Sequence, residues 1–597
     1  TDGIHVAGGS RGVVIGGNTI SANRGDGIEI NASIGNRVEG STITSNGAAG
    51  VAVVSAKASS TADGNVISGA TISSNAVGVS ILGSSGTSVI DGNTISRSAA
   101  AGILVGAKSS QTVIESNTIT ESRGAGVEVN ASRSTAVRDN KVTSGGAAGV
   151  LLTQASGTSA IDGNTIEGNE IEGNAASGIT LVGSSFNALT GNTVHDNRGH
   201  GIALRQASNA NSLLANDVGE VPMTVNGNGN GGNGGDGIRI SGSFSNVIGQ
   251  GNRVSGNAGA GVSVLDSFAA TSATGNRIEA TTIVFNGGAG VVLNGGAHVV
   301  GGAAGLGNTI FGNAGHGAAI TAPSGVTRIA GATVAGNTIQ SNGGSGISLT
   351  GVAGTVLSGN SIGDHAAAGI ALVGGTGNRI VSNVIGGDFG ANVAGVSLSA
   401  GAAQNVVAGN TISANEGDGI AITGARSTDN LIGVRSVGTG EAGVANRVFA
   451  NLGAGIRVAQ GIRNQVAGNS IYTNVGGGIV LQDGGNSMQA APTLTSAMRV
   501  VVAGRPQLQV SGEVRGAPRQ RIVIDFYRND LADGNPATGL GYQARAAIGR
   551  VTLTLDATGR GTFTTTLSAN VPAGDRITAV ATTASGVVGN ASQQSEV

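Results

Sequence analysis

The stretch Asn18-Thr19-Ile20-Ser21-Ala22-Asn23-Arg24-Gly25-Asp26-Gly27-Ile28-Glu29-Ile30, continued by Asn36-Arg37-Val38-Glu39-Gly40-Ser41-Thr42-Ile43-Thr44-Ser45-Asn46, contains one complete structural unit. Aliphatic residues come in three short bursts, Ile28/Ile30, Val38 and Ile43, each flanked by polar residues. Such alternation is the pattern of a strand with one buried face. Gly and Asn separate the bursts, which predicts tight corners with positive φ at those residues. Three short strands and three corners in one repeat make one coil of a parallel β-helix.

Outward from this unit, a Gly-[Ile/Val]-x-[Ile/Val/Leu] phrase recurs about nineteen times, from Gly3 through Gly27, Gly50, Gly78, Gly102, Gly126 and Gly149 to Gly478. The commonest step is 23 or 24 residues, and longer steps read as the same unit with an inserted loop. The longest are Gly201 to Gly237 and Gly419 to Gly455. A fixed period of this size marks a solenoid, whose units bury their apolar faces only by stacking on neighbours. The expectation is 19–20 coils, which at ~4.8 Å per coil make a rod on the order of 90 Å long. A second phrase keeps step: Asn-Thr-Ile with another Asn five residues after the first. It occurs at Asn18/Asn23, Asn164/Asn169, Asn308/Asn313, Asn337/Asn342 and Asn410/Asn415, with Val for Ile at Asn192/Asn197 and with Ser for Thr at Asn469/Asn474. Stacking these residues predicts amide ladders along the axis.

Composition bounds the rest. The chain has 597 residues, too many for one ordinary globular core, but a solenoid core is a line rather than a sphere. Gly accounts for 109 residues, a bias that alone suggests disorder; the regularly spaced Ile, Val and Leu argue against it. Net charge is −2 with 11% charged residues and no basic stripe, so no nucleic-acid partner is expected. The absence of Cys excludes a disulfide framework, a thiolate metal site and a Cys nucleophile. No run reaches the ~18 apolar residues of a membrane helix. Because Thr1 falls inside a repeat, the chain reads as a processed or partial piece.

Over residues 1 to about 485, the Asn-Thr-Ile…Asn…Gly-Ile-x-Ile phrases resemble the right-handed parallel β-helix families with the carbohydrate-binding and sugar-hydrolase type repeat, of the kind found in large bacterial surface proteins. The resemblance implies an all-β, right-handed parallel β-helix. It says little about activity, because such families range from pectate lyases, polygalacturonases and alginate epimerases to tailspikes and surface proteins. Beyond residue 485 the repeat stops, and five of the seven prolines follow. Alternating segments replace it: Gln507–Val510, Arg521–Tyr527, Gly549–Leu555, Gly561–Leu567 and Asp575–Ala581. These predict a small antiparallel β-sandwich over 486–597, after a β-helix over 1–485. The closing Thr582-Thr583-Ala584-Ser585-Gly586-Val587-Val588-Gly589-Asn590 is similar to the last strands of immunoglobulin-like modules. Such a module would cover the open edge of the last coil.

Catalytic chemistry is sparsely signalled. There is no Asp-Pro dipeptide (alginate epimerases carry Asp-Pro-His), no Trp, only three Lys, and no Phe or Tyr before Phe186. The densest cluster is His195, Asp196, Arg198, His200 and Arg205, with Asp236 one coil later. A stacked His200/Asp236 pair would bind a metal or move a proton. Asp26 and Asp418 fill the same slot elsewhere, which favours a solvent-facing corner that accepts any polar residue. The adjacent Asp364-His365 offers less, since sequence neighbours need not converge. Gly231–Arg239 fits a calcium-binding nonapeptide through Asp236, and Asp530, Asp533 and Asn535 form a second oxygen-rich calcium candidate. The expectation is therefore no cofactor, with calcium as the candidate exception. The function expected is a secreted bacterial surface rod for lattice, filament or matrix assembly or adhesion, associating with itself or with surface glycans. The alternatives are a polysaccharide lyase, hydrolase or epimerase using a groove around His195–Arg205, or a non-catalytic glycan-binding adhesin.

Overall fold

The computed structural model describes residues 1–90, 92–219, 231–323, 330–434, 444–533 and 541–583, together with the backbone of strands Val588–Ala591 and Ser595–Glu596. These fall into two compact units, Thr1–Gly301 with Gly305–Thr309, and Gly302–Ala304 with Ile310–Val597.

In the first unit each coil contributes one strand to each of three parallel sheets. The coil quoted above places Ile28–Asn31 in sheet A, Arg37–Glu39 in sheet B and Thr42–Thr44 in sheet C. The next coil lies in register on it: Ile28 beside Val51, Ile30 beside Val53, Val38 beside Ile67 and Ile43 beside Ile72. All eight of these side chains are fully buried. The core is thus four aliphatic columns, two from sheet A and one each from B and C. Each rung contributes about 1.5–3 kcal/mol relative to an exposed side chain. The helical coils of the second unit follow the same rule, as where Ile347, Leu349, Leu357 and Ile362 stack beneath Ile370, Leu372, Ile380 and Ile385.

The corners differ from the sequence expectation in one respect. Positive φ is found at the residue before the conserved-phase Asn, not at the Asn itself: Ala22 before Asn23, Ser45 before Asn46, Asp139 before Asn140 and Asp196 before Asn197. Nor does the Gly of the Gly-Ile phrase need positive φ. A Cβ on Gly27 would lie 2.6 Å from the Gly50 carbonyl oxygen and 2.6 Å from Ile43 Cγ2, so the position is Gly for want of space.

In the second unit the last coil strand is Ile479–Gln482, and the first long antiparallel strand begins at Thr493. Thr493–Val502, Arg505–Arg515 and Arg560–Leu567 form one antiparallel sheet. Arg521–Asn529, flanked by Ala546–Thr554 and Arg576–Thr583, forms the other. Leu508, Val510, Ile522, Ile524, Phe526 and Phe563 share one core, with Phe526 and Phe563 edge to face at 5.7 Å. Each of the five alternating segments coincides with one of these strands to within one residue at the overhanging end, whereas Thr493–Val502 had no clear signal. The segment 543–545 returns to the last coil. Ala544 exchanges backbone hydrogen bonds with Ile471, both 2.8 Å, and the Arg545 guanidinium lies 4.9 Å from the Tyr472 ring centroid. Among the described residues no helix is long and apolar enough to cross a membrane.

Candidate functional site

Every corner of the coil carries a column of inward-facing polar residues. Asn140 shows the geometry. Its Oδ1 accepts from the Asn117 backbone N–H at 3.0 Å and from Asn117 Nδ2 at 2.9 Å. Its own Nδ2 donates to the Ile114 and Arg138 carbonyls and to Asn169 Oδ1. Asn was selected here for donor and acceptor in one short side chain, which satisfies backbone groups that the corner leaves unpaired. Asn169, Asn192, Asn308, Asn337, Asn410 and Asn469 occupy one such phase, with Asn18 at its first rung bonded to Ser41. Asn23, Asn197, Asn313, Asn342, Asn415 and Asn474 occupy another. Asn164 stands apart from the phase its Asn-Thr-Ile phrase suggests. It stacks on Asn187 in a third column, because the coil Asn164-Thr-Ile-Glu-Gly-Asn169-Glu-Ile-Glu-Gly-Asn174 repeats the phrase within itself. That third column also contains Asn36, Asn65, Asn211 and Asn246.

Two histidines stand in for Asn. His298 Nδ1 accepts from the Asn276 N–H at 3.0 Å and Nε2 donates to the Ser267 carbonyl at 2.6 Å. His365 does the same between the Asn342 N–H and the Ile339 carbonyl. A neutral imidazole thus reproduces the acceptor and donor of the amide. Burial pushes the His298 pKa down to about 4 and lowers that of His365. His365 is therefore a buried rung rather than a partner for Asp364.

The His195–Arg205 cluster does not converge. His195 ends a sheet C strand, Thr193–His195, while His200 introduces the sheet A strand Ile202–Arg205, and Arg198 lies exposed in the corner between them. His195 Nδ1 lies 2.8 Å from Asp196 and Nε2 3.6 Å from Glu172. Glu170, Glu172 and His195 bring ligand atoms within 4.8 Å of one another, but Lys141 Nζ already bridges the two carboxylates at 2.6 and 3.1 Å.

The slot before the Gly-Ile phrase is more demanding than an indifferent corner. It holds a hydrogen-bond acceptor for the next coil: Asp26 receives the Ala49 N–H, Asp418 the Ala454 N–H, and His316 Nδ1 the Ser345 N–H. His200 Nδ1 receives the Asp236 N–H at 2.9 Å, so the ring proton is on Nε2. The Asp236 carboxylate in turn accepts from the Ala260 N–H at 2.9 Å and Ser263 Oγ at 2.6 Å. With Nδ1 already an acceptor, the 3.7 Å approach of Asp236 Oδ2 is not a proton relay. Burial lowers the His200 pKa, partly offset by Asp236. The same bonds occupy the carboxylate that the nonapeptide would offer to calcium.

In the C-terminal module, Asp530 pairs with Arg528 at 2.7 Å and Arg545 at 2.9 Å, and Asp533 pairs with Arg545. Both candidate carboxylates are thus engaged by guanidinium groups. Asn535 lies outside the described residues.

Sheet A does carry a groove of about 410 Å³, lined by His200, Ala203, Arg205, Arg239 and Ser241. Arg239 had no sequence signal as a site residue; it joins Arg205 only because the strand Ile238–Ser241 pairs with Ile202–Arg205.

The family comparison agrees with the fold. A family model described as "Right handed beta helix region" matches residues 2–166 and 268–433, and one described as "Periplasmic copper-binding protein (NosD)" matches 159–284. No curated protein matches. Among solved structures, the Dettilon tailspike protein gp208 is 14% identical, covering 85% of this chain and 88% of that one, with TM-score 0.31. The periplasmic alginate epimerase AlgG is 14% identical over 60% and 74%, TM-score 0.30. The A-module of the Azotobacter vinelandii mannuronan C-5 epimerase AlgE4 is 13% identical over 64% and 91%, TM-score 0.29. The activities in those names are theirs.

Proposed function

This chain belongs to the right-handed beta helix family, and on that footing we propose that it is a non-catalytic structural solenoid working outside the cytoplasm, a scaffold for surface assembly or adhesion. One observation carries the reading. The groups that would do acid–base work, His200 and Asp236, are committed to coil-to-coil hydrogen bonds through His200 Nδ1 and both Asp236 oxygens. A catalytic base needs a free lone pair within reach of substrate. Placement outside the cytoplasm is supported by the periplasmic family matched over 159–284. Stacked strands with identical registers suit lateral or end-to-end self-association into a filament or lattice.

Negative-stain electron microscopy of the purified chain, with and without calcium, tests the scaffold reading. Ordered filaments or sheets are expected, and strictly isolated particles at every concentration would count against it. Incubation with uronate polymers and neutral glucans tests the enzyme alternative. Turnover that disappears in His200→Ala or His195→Ala, with the fold retained, would overturn the non-catalytic assignment.

A further inference from the structure

In the second unit one corner of the coil is held from both sides by histidine. The corner Asn342-Gly343-Gly344-Ser345 links the sheet C strand Thr338–Gln340 to the sheet A strand Ile347–Thr350. His365 reaches it from the following coil, where it succeeds Ser361–Gly363, the strand paired with Thr338–Gln340. Its Nδ1 accepts the Asn342 N–H at 3.2 Å. His316 reaches it from the preceding coil, where it precedes Ala318–Thr321, the strand paired with Ile347–Thr350. Its Nδ1 accepts the Ser345 N–H at 2.8 Å. Glycines make room for both rings. A Cβ on Gly344 would lie 2.5 Å from His316 Nδ1, and one on Gly346 would lie 2.7 Å from His365 Nε2. Elsewhere in the unit the same two bonds are made without histidine. At the corner Asn451–Ala454, Asn474 Oδ1 accepts the Asn451 N–H at 3.2 Å and Asp418 Oδ1 accepts the Ala454 N–H at 2.7 Å, with Arg457 on Asp418.

The substitution changes what acid does. Imidazole accepts on Nδ1 only while neutral; imidazolium carries a donor on both nitrogens. Protonation would set a ring N–H against a backbone N–H on each side of the corner and place two positive charges around it. The titratable groups facing His365 are His316 and Asp364. Asp364 favours the charged ring, but its carboxylate also accepts Ser341 Oγ at 2.6 Å. Burial outweighs it and lowers the His365 pKa, and burial lowers that of His316 as well. Folded values below the ordinary 6.5 mean that this contribution is complete above pH 6.5 and is lost as pH falls. We propose that His316 and His365 form an acid-sensitive latch on residues 342–345, which opens locally when both rings take up protons while corners held by amide and carboxylate stay closed. The inference is independent of the scaffold reading, since it concerns the coil itself.

Hydrogen exchange of the full chain, read by mass spectrometry as protection factors so that the intrinsic pH dependence cancels, tests the latch between pH 7.5 and 5. A ring that must stay neutral in the closed state shifts the opening equilibrium by up to about tenfold per pH unit below 6.5. Protection over 342–345 is therefore expected to fall more than about tenfold, while that over 451–454 holds. A constant protection at 342–345, or an equal fall at 451–454, would overturn the latch, and this comparison needs no variant. His365→Asn restores the residue used by neighbouring rungs, and His316→Asn keeps an acceptor in its slot. Each should remove part of the acid-dependent fall and the double variant nearly all of it. A fall that survives whole in the double variant, or that one variant alone abolishes, would overturn the paired assignment.

Discussion

Gln543, from the antiparallel module, takes the next rung above Asn474 in the last coil. Its Oε1 accepts from the Asn474 backbone N–H at 3.3 Å and from Asn474 Nδ2 at 2.9 Å, and its Nε2 donates back to the Asn474 carbonyl at 2.6 Å. A residue outside the repeat thus ends a ladder that the repeat builds. Asn486 does the same for a second ladder, accepting from the Asn464 N–H at 3.0 Å. An open parallel edge is a template for wrong pairing, and these two amides help to close it. Gln543→Ala should leave the buried backbone N–H of Asn474 unpaired, while Asn474 Nδ2 keeps the Val448 and Tyr472 carbonyls, and cost about 1–3 kcal/mol. Thermal unfolding of the full chain would register it, with faster amide exchange around Ser470–Tyr472. Unaltered exchange there would show that the cap does not rest on this side chain.

The ladders contain weak rungs. Thr87, Thr112 and Thr135 occupy the third column between Asn65 and Asn164, and the Oγ1 of each is buried without a hydrogen-bond partner. Threonine supplies one short hydroxyl where the neighbouring rungs supply a full amide. Thr112→Asn is expected to stabilise the chain by about 1 kcal/mol by providing the missing donor and acceptor. Denaturant unfolding measures it, and a loss of stability would mean that the column is too narrow there for an amide.

His298 predicts a pH dependence. Its folded pKa is depressed from 6.5 to about 4, so the folded state holds the neutral ring. Its contribution is fully present above pH 6.5 and is lost as pH falls, because the unfolded chain takes up the proton first. The depression corresponds to about 3 kcal/mol between pH 6.5 and 4. Protonation would also turn Nδ1 from acceptor into donor, facing the Asn276 N–H. His298→Asn should flatten the acid limb of the stability curve, as followed by urea unfolding at pH 4.5 and 7.5. An identical pH slope in the variant would remove His298 as its source.

The Gly of the repeat phrase makes a steric prediction. A Cβ on Gly126 would lie 2.2 Å from Val142 Cγ1 and 2.8 Å from the Gly149 carbonyl oxygen, and the latter cannot move without breaking the register. Gly126→Ala should cost about 1–3 kcal/mol, the range for overpacking a close-packed core. Gly47, whose added Cβ would meet Arg24 backbone rather than a core side chain, provides a second test of backbone crowding. Melting temperatures of both variants check it, and a stable Gly126→Ala would show that the coils can part.

Much of this molecule could be read from local spacing. Ile28, Ile30, Val38 and Ile43 announce which side chains face inward because strand alternation is a property of the backbone, and the recurrence of the phrase announces that coils stack. Phase was harder to read. Asn164 looks like Asn192 in sequence yet stacks on Asn187, because a duplicated phrase inside one coil is resolved only when the strands pair. His298 and His365 take amide rungs that no Asn pattern could flag, since what the column selects is an acceptor and a donor rather than a residue type.

The sequence by itself determined the coil, its four aliphatic columns and its period, for these follow from residues near one another along the chain. Tertiary structure alone decided which polar groups are free. It separated His195 from His200, committed Asp236 to the next coil, placed Arg239 beside Arg205 and set Gln543 on Asn474. The physical reason is that hydrogen bonds between coils join residues at least a full turn apart, and a lone pair engaged there is unavailable for chemistry however suggestive its neighbours in sequence.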